Sequence, residues 1–167
     1  VNEKRGFHGM DRKDNRLAYT NENTVACCAI CNYMKGTLSD ETFLQRAWHI
    51  LTYNKKIEEK YAFPNAFKNY GGSCYSDYKR RAQKKQLCFE LSREIFKQMT
   101  NSTCYLCGKE KTFEHCNGID RINNSQGYSI ENCKSCCGGC NYMKNAFTLD
   151  TFLMQLLSIY KHQHSIL

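Results

Sequence analysis

The chain has 167 residues, 41% of them hydrophobic and 24% charged, and its net charge is +8. This length suits one ordinary domain or two small ones, and the apolar share is thin for two cores without cross-links. No signal peptide opens the sequence and no apolar run approaches membrane length, which predicts an intracellular protein (cytoplasm, nucleus or organelle matrix) without a membrane partner. The positive charge is compatible with a polyanionic partner but does not require one.

The first strongly patterned element is a helix over residues 42–60, capped by Ser39 or Asp40. Its apolar stripe includes Phe43, Ala47 and Ile50. Residues 61–75 contain the only proline and a Gly-Gly pair, which indicates a connector. A basic helix over 76–86, an extended piece over 87–91 and a helix over 93–99 follow.

After residue 107 the sequence predicts three further elements. We expect a hairpin between Cys107 and Asp120, and a helix after Cys140 that carries Asn141. A final helix starts near Thr148 and runs to residue 163.

Two segments of the chain repeat each other. Residues 9–44 and 118–153 align without a gap at an offset of 109, and 17 of the 36 positions are identical. A match this dense indicates duplication of one supersecondary unit. We therefore predict an incomplete N-terminal copy with its following helix over residues 1–60, a connector over 61–75 and a complete copy over 76–167.

The cysteine spacing predicts bound zinc. The chain has 12 cysteines, and two C-x2-C pairs separated by 29 residues suit a tetrahedral four-thiolate site. Cys136 is an alternative to Cys137, although the spacing favours the latter. Cys28 and Cys31 would form half of a second site with unknown partners, whereas four unpaired cysteines are expected to pack as reduced thiols in the core. The expected ligands of the complete site are Cys104, Cys107, Cys137 and Cys140, and the unpaired cysteines are Cys74, Cys88, Cys116 and Cys133.

This order of motifs resembles the zinc-bearing branch of the HNH (ββα-metal) nucleases, which includes the recombination endonuclease VII group and small zinc-containing rare-cutting restriction enzymes. The matching features are a C-x2-C pair, an aspartate 13 residues on, and a second C-x2-C pair followed at once by asparagine. The resemblance covers residues 78–159 in full and 9–44 in half. It implies an α+β fold: a small zinc-stapled ββα-metal core with flanking helices, plus a truncated second copy.

In that branch, the aspartate and the asparagine hold one divalent ion, usually magnesium, against the scissile phosphate. The corresponding residues here are Asp120 and Asn141, whose hard oxygen ligands suit Mg²⁺ or Mn²⁺. The competing interpretations are a turn carboxylate for Asp120 and a helix-capping amide for Asn141. For Asp11 and Asn32 in the first copy, these structural roles are the favoured ones.

The sequence departs from the family at the general base. Arg121 follows Asp120 where a histidine is expected, and arginine stays protonated, so it could clamp a phosphate but could not activate water. Tyr105 and His115 are the candidates for that role. Tyrosine is a poor base unless its pKa is lowered, whereas His115 has a suitable pKa but could equally be a surface side chain.

Several basic residues are candidates for phosphate contact, though a solvated helix face would look the same. These candidates are Lys79, Arg80, Arg81, Lys84, Lys85, Lys35 and Lys144.

Three functions compete. The first is a metal-dependent endonuclease acting on DNA or RNA. The second is a catalytically degenerate HNH fold that serves as a structural component of a large nucleoprotein assembly, such as an organellar ribosome. The third, a zinc-finger transcription factor, lacks a repeated finger with a recognition helix. A homodimer is compatible with the first two.

Overall fold

Each repeated segment folds as an antiparallel β-hairpin followed by two helices. The computed structural model describes residues 8–72 and 74–165. The two strand registers match at the sequence offset, since Gly9 faces Cys27 and Gly118 faces Cys136. The first unit consists of β1 (Gly9–Arg12), β2 (Thr24–Cys27), α1 (Ala29–Lys35) and α2 (Asp40–Tyr53). The second unit consists of β3 (Gly118–Arg121), β4 (Cys133–Cys136), α5 (Gly138–Lys144) and α6 (Leu149–Ser165).

One buried asparagine closes the loop between the strands of each hairpin. Asn132 donates through Nδ2 to the carbonyl oxygens of Asn123 (3.0 Å) and Gly127 (2.8 Å), and its Oδ1 accepts from the Asn123 N–H (2.8 Å). Asn23 makes the same three bonds in the first unit at 3.0, 2.9 and 2.9 Å. A single side-chain amide thus satisfies three backbone groups, which explains why this asparagine occurs in both copies.

The segment between the units contains a 3-10 turn (Pro64–Ala66), α3 (Tyr75–Lys84) and α4 (Arg93–Asn101). Ser92 caps α4 as the sequence predicts, because its Oγ accepts from the Ile95 N–H at 3.2 Å. Ser39 and Thr148 cap α2 and α6 in the same way.

Two features differ from the sequence prediction. The helix predicted to reach residue 60 ends at Tyr53, because Asn54 donates from its side chain to the Ile50 carbonyl (2.8 Å) and Lys55 adopts φ +53°. The hairpin expected between Cys107 and Asp120 is wrong, since residues 108–117 form no strand and the hairpin pairs β3 with β4. Side chains hold that loop instead: Asn117 donates to the carbonyl oxygens of Ser102 and Lys109 at 2.8 Å.

The main core draws on both units. α1 packs against α5 and α2 against α6, so each helix contacts its own counterpart, as in a two-fold symmetric contact. Met34, Leu51, Met143 and Leu156 are fully buried in this core, beside the cysteines of the second unit. A smaller cluster of Leu91, Phe96, Ile119 and Cys133 packs α4 onto the second hairpin. None of the helices in the described part of the chain is both long and apolar enough to cross a bilayer.

Candidate metal centre and adjoining cleft

Four buried cysteines of the second unit converge on one point. The sulfur atoms of Cys104, Cys107, Cys137 and Cys140 all lie within 4.8 Å of one another, and those of Cys107 and Cys137 are 3.7 Å apart. A tetrahedral zinc ion with Zn–S bonds of about 2.3 Å places its sulfurs roughly 3.8 Å apart, so the four thiolates fit that ion. The cluster contains Cys137 rather than Cys136, whose Sγ lies 3.6 Å from the Cys137 carbonyl. This cluster could therefore hold zinc.

The backbone of each cysteine pair forms a tight turn around the sulfur atoms. Cys137 is the N-cap of α5, and its Sγ accepts from the Cys140 N–H at 3.4 Å. At the other pair, the Gly108 N–H donates to the Cys104 carbonyl at 2.8 Å. Burial raises the pKa of the Cys140 thiol, so a bound cation is what would favour its thiolate form.

The first unit contacts the Cys104–Cys107 turn from outside. Asn54 Nδ2 donates to the Leu106 carbonyl at 2.8 Å, and His49 Nε2 lies 2.9 Å from the Cys107 carbonyl. The Tyr53 ring covers Gly108, where a Cβ atom would lie 2.5 Å from the ring. Gly108 also has φ +70°, so both space and backbone conformation favour glycine there. The C-terminal end of α2 thus supports the candidate zinc site of the second unit.

Asp120 lies beside this site with both carboxylate oxygens occupied by donors. Tyr105 Oη donates to Oδ2 at 2.7 Å, and Lys144 Nζ lies 3.0 Å from Oδ2 and 3.3 Å from Oδ1. The side chains of Lys144 and Asp120 are 0% and 3% exposed, so this is a buried ion pair. The first unit repeats it with Lys35 and Asp11 at 2.8 Å.

Asn141 is oriented by its amide nitrogen and keeps its oxygen available. Nδ2 donates to the Ile119 carbonyl at 3.3 Å, which joins α5 to β3 one residue before Asp120. Oδ1 accepts no hydrogen bond from the described residues. Asn32 makes the same bond to Met10 in the first unit at 3.2 Å. The amide nitrogen thus has a structural role, whereas the oxygen could still bind a ligand.

A cleft of about 720 Å³ adjoins Asp120 and Asn141. Tyr128 and Arg121 line it from the second unit, Tyr33 from the first unit, and Lys85 from the end of α3. Tyr33 is 65% exposed and its counterpart Tyr142, also in the lining, is 59% exposed. The cleft therefore combines a carboxylate, an amide oxygen, cations and exposed aromatic rings.

Arg121 is engaged by its own loop. Its Nη1 donates to the carbonyl oxygens of Asn124 (3.1 Å) and Gln126 (2.7 Å), and its guanidinium lies 5.0 Å from the centre of the Tyr128 ring. Arg12 repeats this arrangement, donating to the Leu17 carbonyl at 3.0 Å and lying 4.8 Å from the Tyr19 ring. Because the same contacts recur in the first unit, which lacks the upstream cysteine pair, they explain the Asp-Arg pair structurally.

The two candidate bases lie in environments unsuited to proton abstraction. Burial and the neighbouring Asp120 carboxylate raise the pKa of Tyr105 well above its ordinary value, so its phenol stays protonated. His115 is buried outside the cleft lining; its Nδ1 accepts from the Tyr70 N–H at 3.1 Å, and its Nε2 lies 2.9 Å from Asn117 Oδ1. Among the described residues lining the cleft, Asp120 is the only acidic side chain and none is histidine.

The predicted phosphate contacts divide into exposed and buried residues. Lys144 and Lys35 are buried in ion pairs and expose almost no surface to a phosphate, so their prediction as contacts is corrected. Arg80 pairs with Asp77 at 2.7 Å, and Arg81 lies 4.7 Å from the Tyr78 ring. All five candidates on or next to α3 are exposed: Lys79, Arg80, Arg81, Lys84 and Lys85.

The remaining cysteines also divide. Cys133 is buried as expected, whereas Cys74 and Cys88 are exposed, which corrects their assignment to the core. Cys28 and Cys31 form a half-buried pair in the first unit, and no third cysteine, histidine or carboxylate joins them in the described residues.

Sequence reasoning missed the roles of Lys144 and Tyr33. Both belong to the run Asn-Tyr-Met-Lys that is identical in the two copies. That identity already distinguished them from ordinary surface residues. Their opposite placements, one buried and one exposed, depend on helix packing that the repeat alone does not specify.

No protein-family model matches the chain. The uncharacterized protein R423 of Acanthamoeba polyphaga mimivirus is 42% identical to it over 152 residues. That match takes in 91% of this chain and 28% of the viral protein, so the chain spans less than a third of its relative's length. Among solved structures, the rare-cutting HNH restriction endonuclease PacI matches with 18% identity and a TM-score of 0.41, over 66% of this chain and 94% of that one.

Proposed function

We propose that the chain binds nucleic acid and hydrolyses phosphodiester bonds with the help of a divalent metal ion, as HNH nucleases do. The observation that carries this proposal is Asn141. This residue follows the last cysteine of the candidate zinc site, its amide nitrogen is held by the Ile119 carbonyl, and it lines the same cleft as Asp120. Its Oδ1 accepts no hydrogen bond from the described residues, so it can take a ligand. A carboxylate on β3 and an amide oxygen on α5, next to the candidate zinc site, form a hard-ligand pair for Mg²⁺ or Mn²⁺.

Asp120 and Asn141 would hold this ion, which when bound would stabilise charge on the phosphate and on the leaving oxygen. Tyr105 and Lys144 fix the Asp120 carboxylate through its two oxygens. An ionised carboxylate offers about four acceptor sites, so these donors leave room for another ligand. Tyr105 and Lys144 are accordingly positioning residues.

The cleft's other residues suit a nucleic acid. Lys85 supplies positive charge, and Arg81 lines a smaller neighbouring cavity of about 270 Å³ together with Asn141. The exposed rings of Tyr33 and Tyr142 offer faces on which bases can stack. If the phosphates contact α3 and the bases stack on these tyrosines, a strand of DNA or RNA would cross the cleft at Asn141.

A binding module without catalysis is the second candidate, and one observation favours it. Lys144 already neutralises Asp120, and the described residues that line the cleft include no histidine and no other carboxylate that could act as a base. Such a module would use the zinc-supported cleft as a nucleic-acid clamp, for example within a large nucleoprotein assembly. Under either function, the shared register and loop bonds support an origin of the two units by duplication.

Nicking of supercoiled plasmid and of structured RNA in Mg²⁺ or Mn²⁺ tests the two candidates. We expect cutting by the wild type, and its loss in Asn141→Ala and Asp120→Asn with zinc content unchanged. Asn32→Ala is the matched control, since it removes the counterpart amide from the first unit. If the wild type binds nucleic acid in a salt-sensitive way but never cuts, the second candidate replaces the first.

A further inference from the structure

A groove of about 550 Å³ lies in the first unit beside Cys27 and Cys31. α6 of the second unit forms one side of it through Gln155, Ser158 and His162. Gln155 Nε2 lies 3.2 Å from the Cys31 sulfur. The groove is thus bounded by both units, as is the candidate zinc site of the second unit.

The groove corresponds to the space that the Cys104–Gly108 turn fills in the second unit. Shifted by the offset of 109, Ser158 corresponds to His49, which contacts the Cys107 carbonyl. His162 corresponds to Tyr53, whose ring covers Gly108. Gln163, also in the groove, corresponds to Asn54, which donates to the Leu106 carbonyl.

On the side formed by β1 and β2, the residues that line the groove are also counterparts of residues that contact the Cys104–Gly108 turn. Ala26 is the counterpart of Ser135, whose carbonyl accepts from the Tyr105 N–H at 3.0 Å. Asp11 is the counterpart of Asp120, which accepts from the Tyr105 hydroxyl. Both Ala26 and Asp11 line the groove. The groove is therefore bounded on two sides by counterparts of residues that contact a cysteine turn.

The pair Cys28 and Cys31, of which Cys31 lines the groove, already has the backbone geometry of the Cys137–Cys140 pair. Cys28 is the N-cap of α1 at φ −69° and ψ 152°, against −67° and 152° for Cys137. Its sulfur accepts from the Cys31 N–H at 3.4 Å, the same distance as in the Cys137–Cys140 pair. The difference lies in burial, because Cys28 and Cys31 are only half-buried whereas Cys137 and Cys140 are buried.

We propose that this groove seats a polypeptide segment bearing a C-x2-C-G turn, which completes a second four-thiolate zinc site with Cys28 and Cys31. Residues 1–7 contain no cysteine, so they cannot supply the missing pair. A tyrosine after the segment's first cysteine would reach Asp11 as Tyr105 reaches Asp120. The site does not depend on whether the second unit cleaves nucleic acid.

Cobalt titration of the whole chain tests this site, since Co²⁺ in four-thiolate sites absorbs visibly. The probe segment is a synthetic peptide with the sequence of residues 102–111. We expect one equivalent of four-thiolate Co²⁺ for the chain alone and a second equivalent when the peptide is present. Cys31→Ser abolishes the second equivalent and spares the first, whereas Cys74→Ser, at an exposed cysteine outside the groove, changes neither.

A linked version guards against weak peptide binding. Residues 92–117 are fused directly in front of Gly9 in place of residues 1–8, which reproduces the spacing of the second unit. This chain is expected to bind two equivalents of Co²⁺, and its Cys31→Ser variant one. Failure of both the peptide and the fusion to add a second equivalent, or a second equivalent that survives Cys31→Ser, overturns the proposal.

Discussion

The first and second units share their hairpins, loop bonds and helix starts, yet they differ in how their cysteines are covered. Cys137 and Cys140 lie under the Cys104–Cys107 turn and are buried, whereas Cys28 and Cys31 remain half-buried beside a groove. The ββα geometry therefore does not require the covering turn in order to form. The covering turn buries Cys137 and Cys140 and supplies two further thiols. It also brings the Tyr105 hydroxyl to the Asp120 carboxylate.

Replacing one cysteine of each C-x2-C pair should give the largest difference in stability between the two units. Cys140→Ser is expected to lower the free energy of unfolding by more than about 5 kcal/mol in the presence of zinc, because structural zinc contributes on the order of 10 kcal/mol or more to small domains. Cys31→Ser at the counterpart position should cost less than about 1 kcal/mol, since this thiol lacks a complete ligand set. Thermal unfolding with and without a chelator measures both.

Treatment with a chelator is the control for the comparison of Cys140→Ser with Cys31→Ser. It should lower the melting temperature of the wild type and of Cys31→Ser to a similar extent, and should leave Cys140→Ser little changed. Equal losses in the two variants would mean that burial rather than metal stabilises the second unit.

Replacing the buried lysine of each unit should give the next largest loss of stability. Lys144→Met removes the partner of a 3% exposed carboxylate, and breaking such a pair costs about 3–5 kcal/mol. Lys35→Met should cost about 1–3 kcal/mol, because Asp11 borders the groove and water can replace part of the lost interaction. Urea denaturation of both variants gives the two values.

A second substitution distinguishes the contribution of the Lys144 charge to stability from that of its side-chain packing. Asp120→Asn in the Lys144→Met background removes the unpaired charge, so it is expected to recover more than half of the lost stability. No recovery would show that the packing of the Lys144 side chain, rather than its charge, is what the second unit needs.

The parts of the structure that follow from local spacing were accessible from sequence. The cluster of Cys104, Cys107, Cys137 and Cys140 follows from C-x2-C spacing, and the caps at Ser39 and Ser92 follow from local helix chemistry. Each depends on residues that lie close together in the chain, or on two such groups whose spacing suits one metal ion.

The parts that depend on long-range packing were not accessible. Lys144 looks like a surface lysine until α5 packs on β3 and buries it against Asp120. Likewise, nothing local places Tyr33 of the first unit in the second unit's cleft. The Asp-Arg pair was interpreted by comparison with a catalytic motif, whereas the repeated loop contacts of Arg12 and Arg121 supply a structural reason.

Replacing the arginine of each hairpin loop should give a smaller difference in stability between the units. Arg121→Ala removes two hydrogen bonds to loop carbonyls and a ring contact in a nearly buried setting, which should cost about 1.5–3 kcal/mol. Arg12→Ala removes one such bond in an exposed setting and should cost about 0.5–1.5 kcal/mol. Hydrogen exchange of the two loops by NMR or mass spectrometry measures the local opening. If Arg121→Ala left exchange of its loop unchanged while nucleic-acid binding fell, the guanidinium would serve a phosphate instead.

The smallest effect concerns the residues that end α1 and α5. Gly36 has φ +55° and an added Cβ would lie 2.6 Å from the Tyr142 ring, whereas its counterpart Asn145 has φ +50° and tolerates a side chain. Gly36→Ala is therefore expected to cost about 1 kcal/mol and to displace Tyr142. Asn145→Gly should change stability by less than about 0.5 kcal/mol, because glycine adopts this conformation readily. Thermal unfolding gives the two values, and ring NMR signals of Tyr142 report its displacement. Since Tyr142 lines the cleft, Gly36→Ala should also weaken binding of a single-stranded oligonucleotide, and unchanged binding would show that stacking on Tyr142 contributes little.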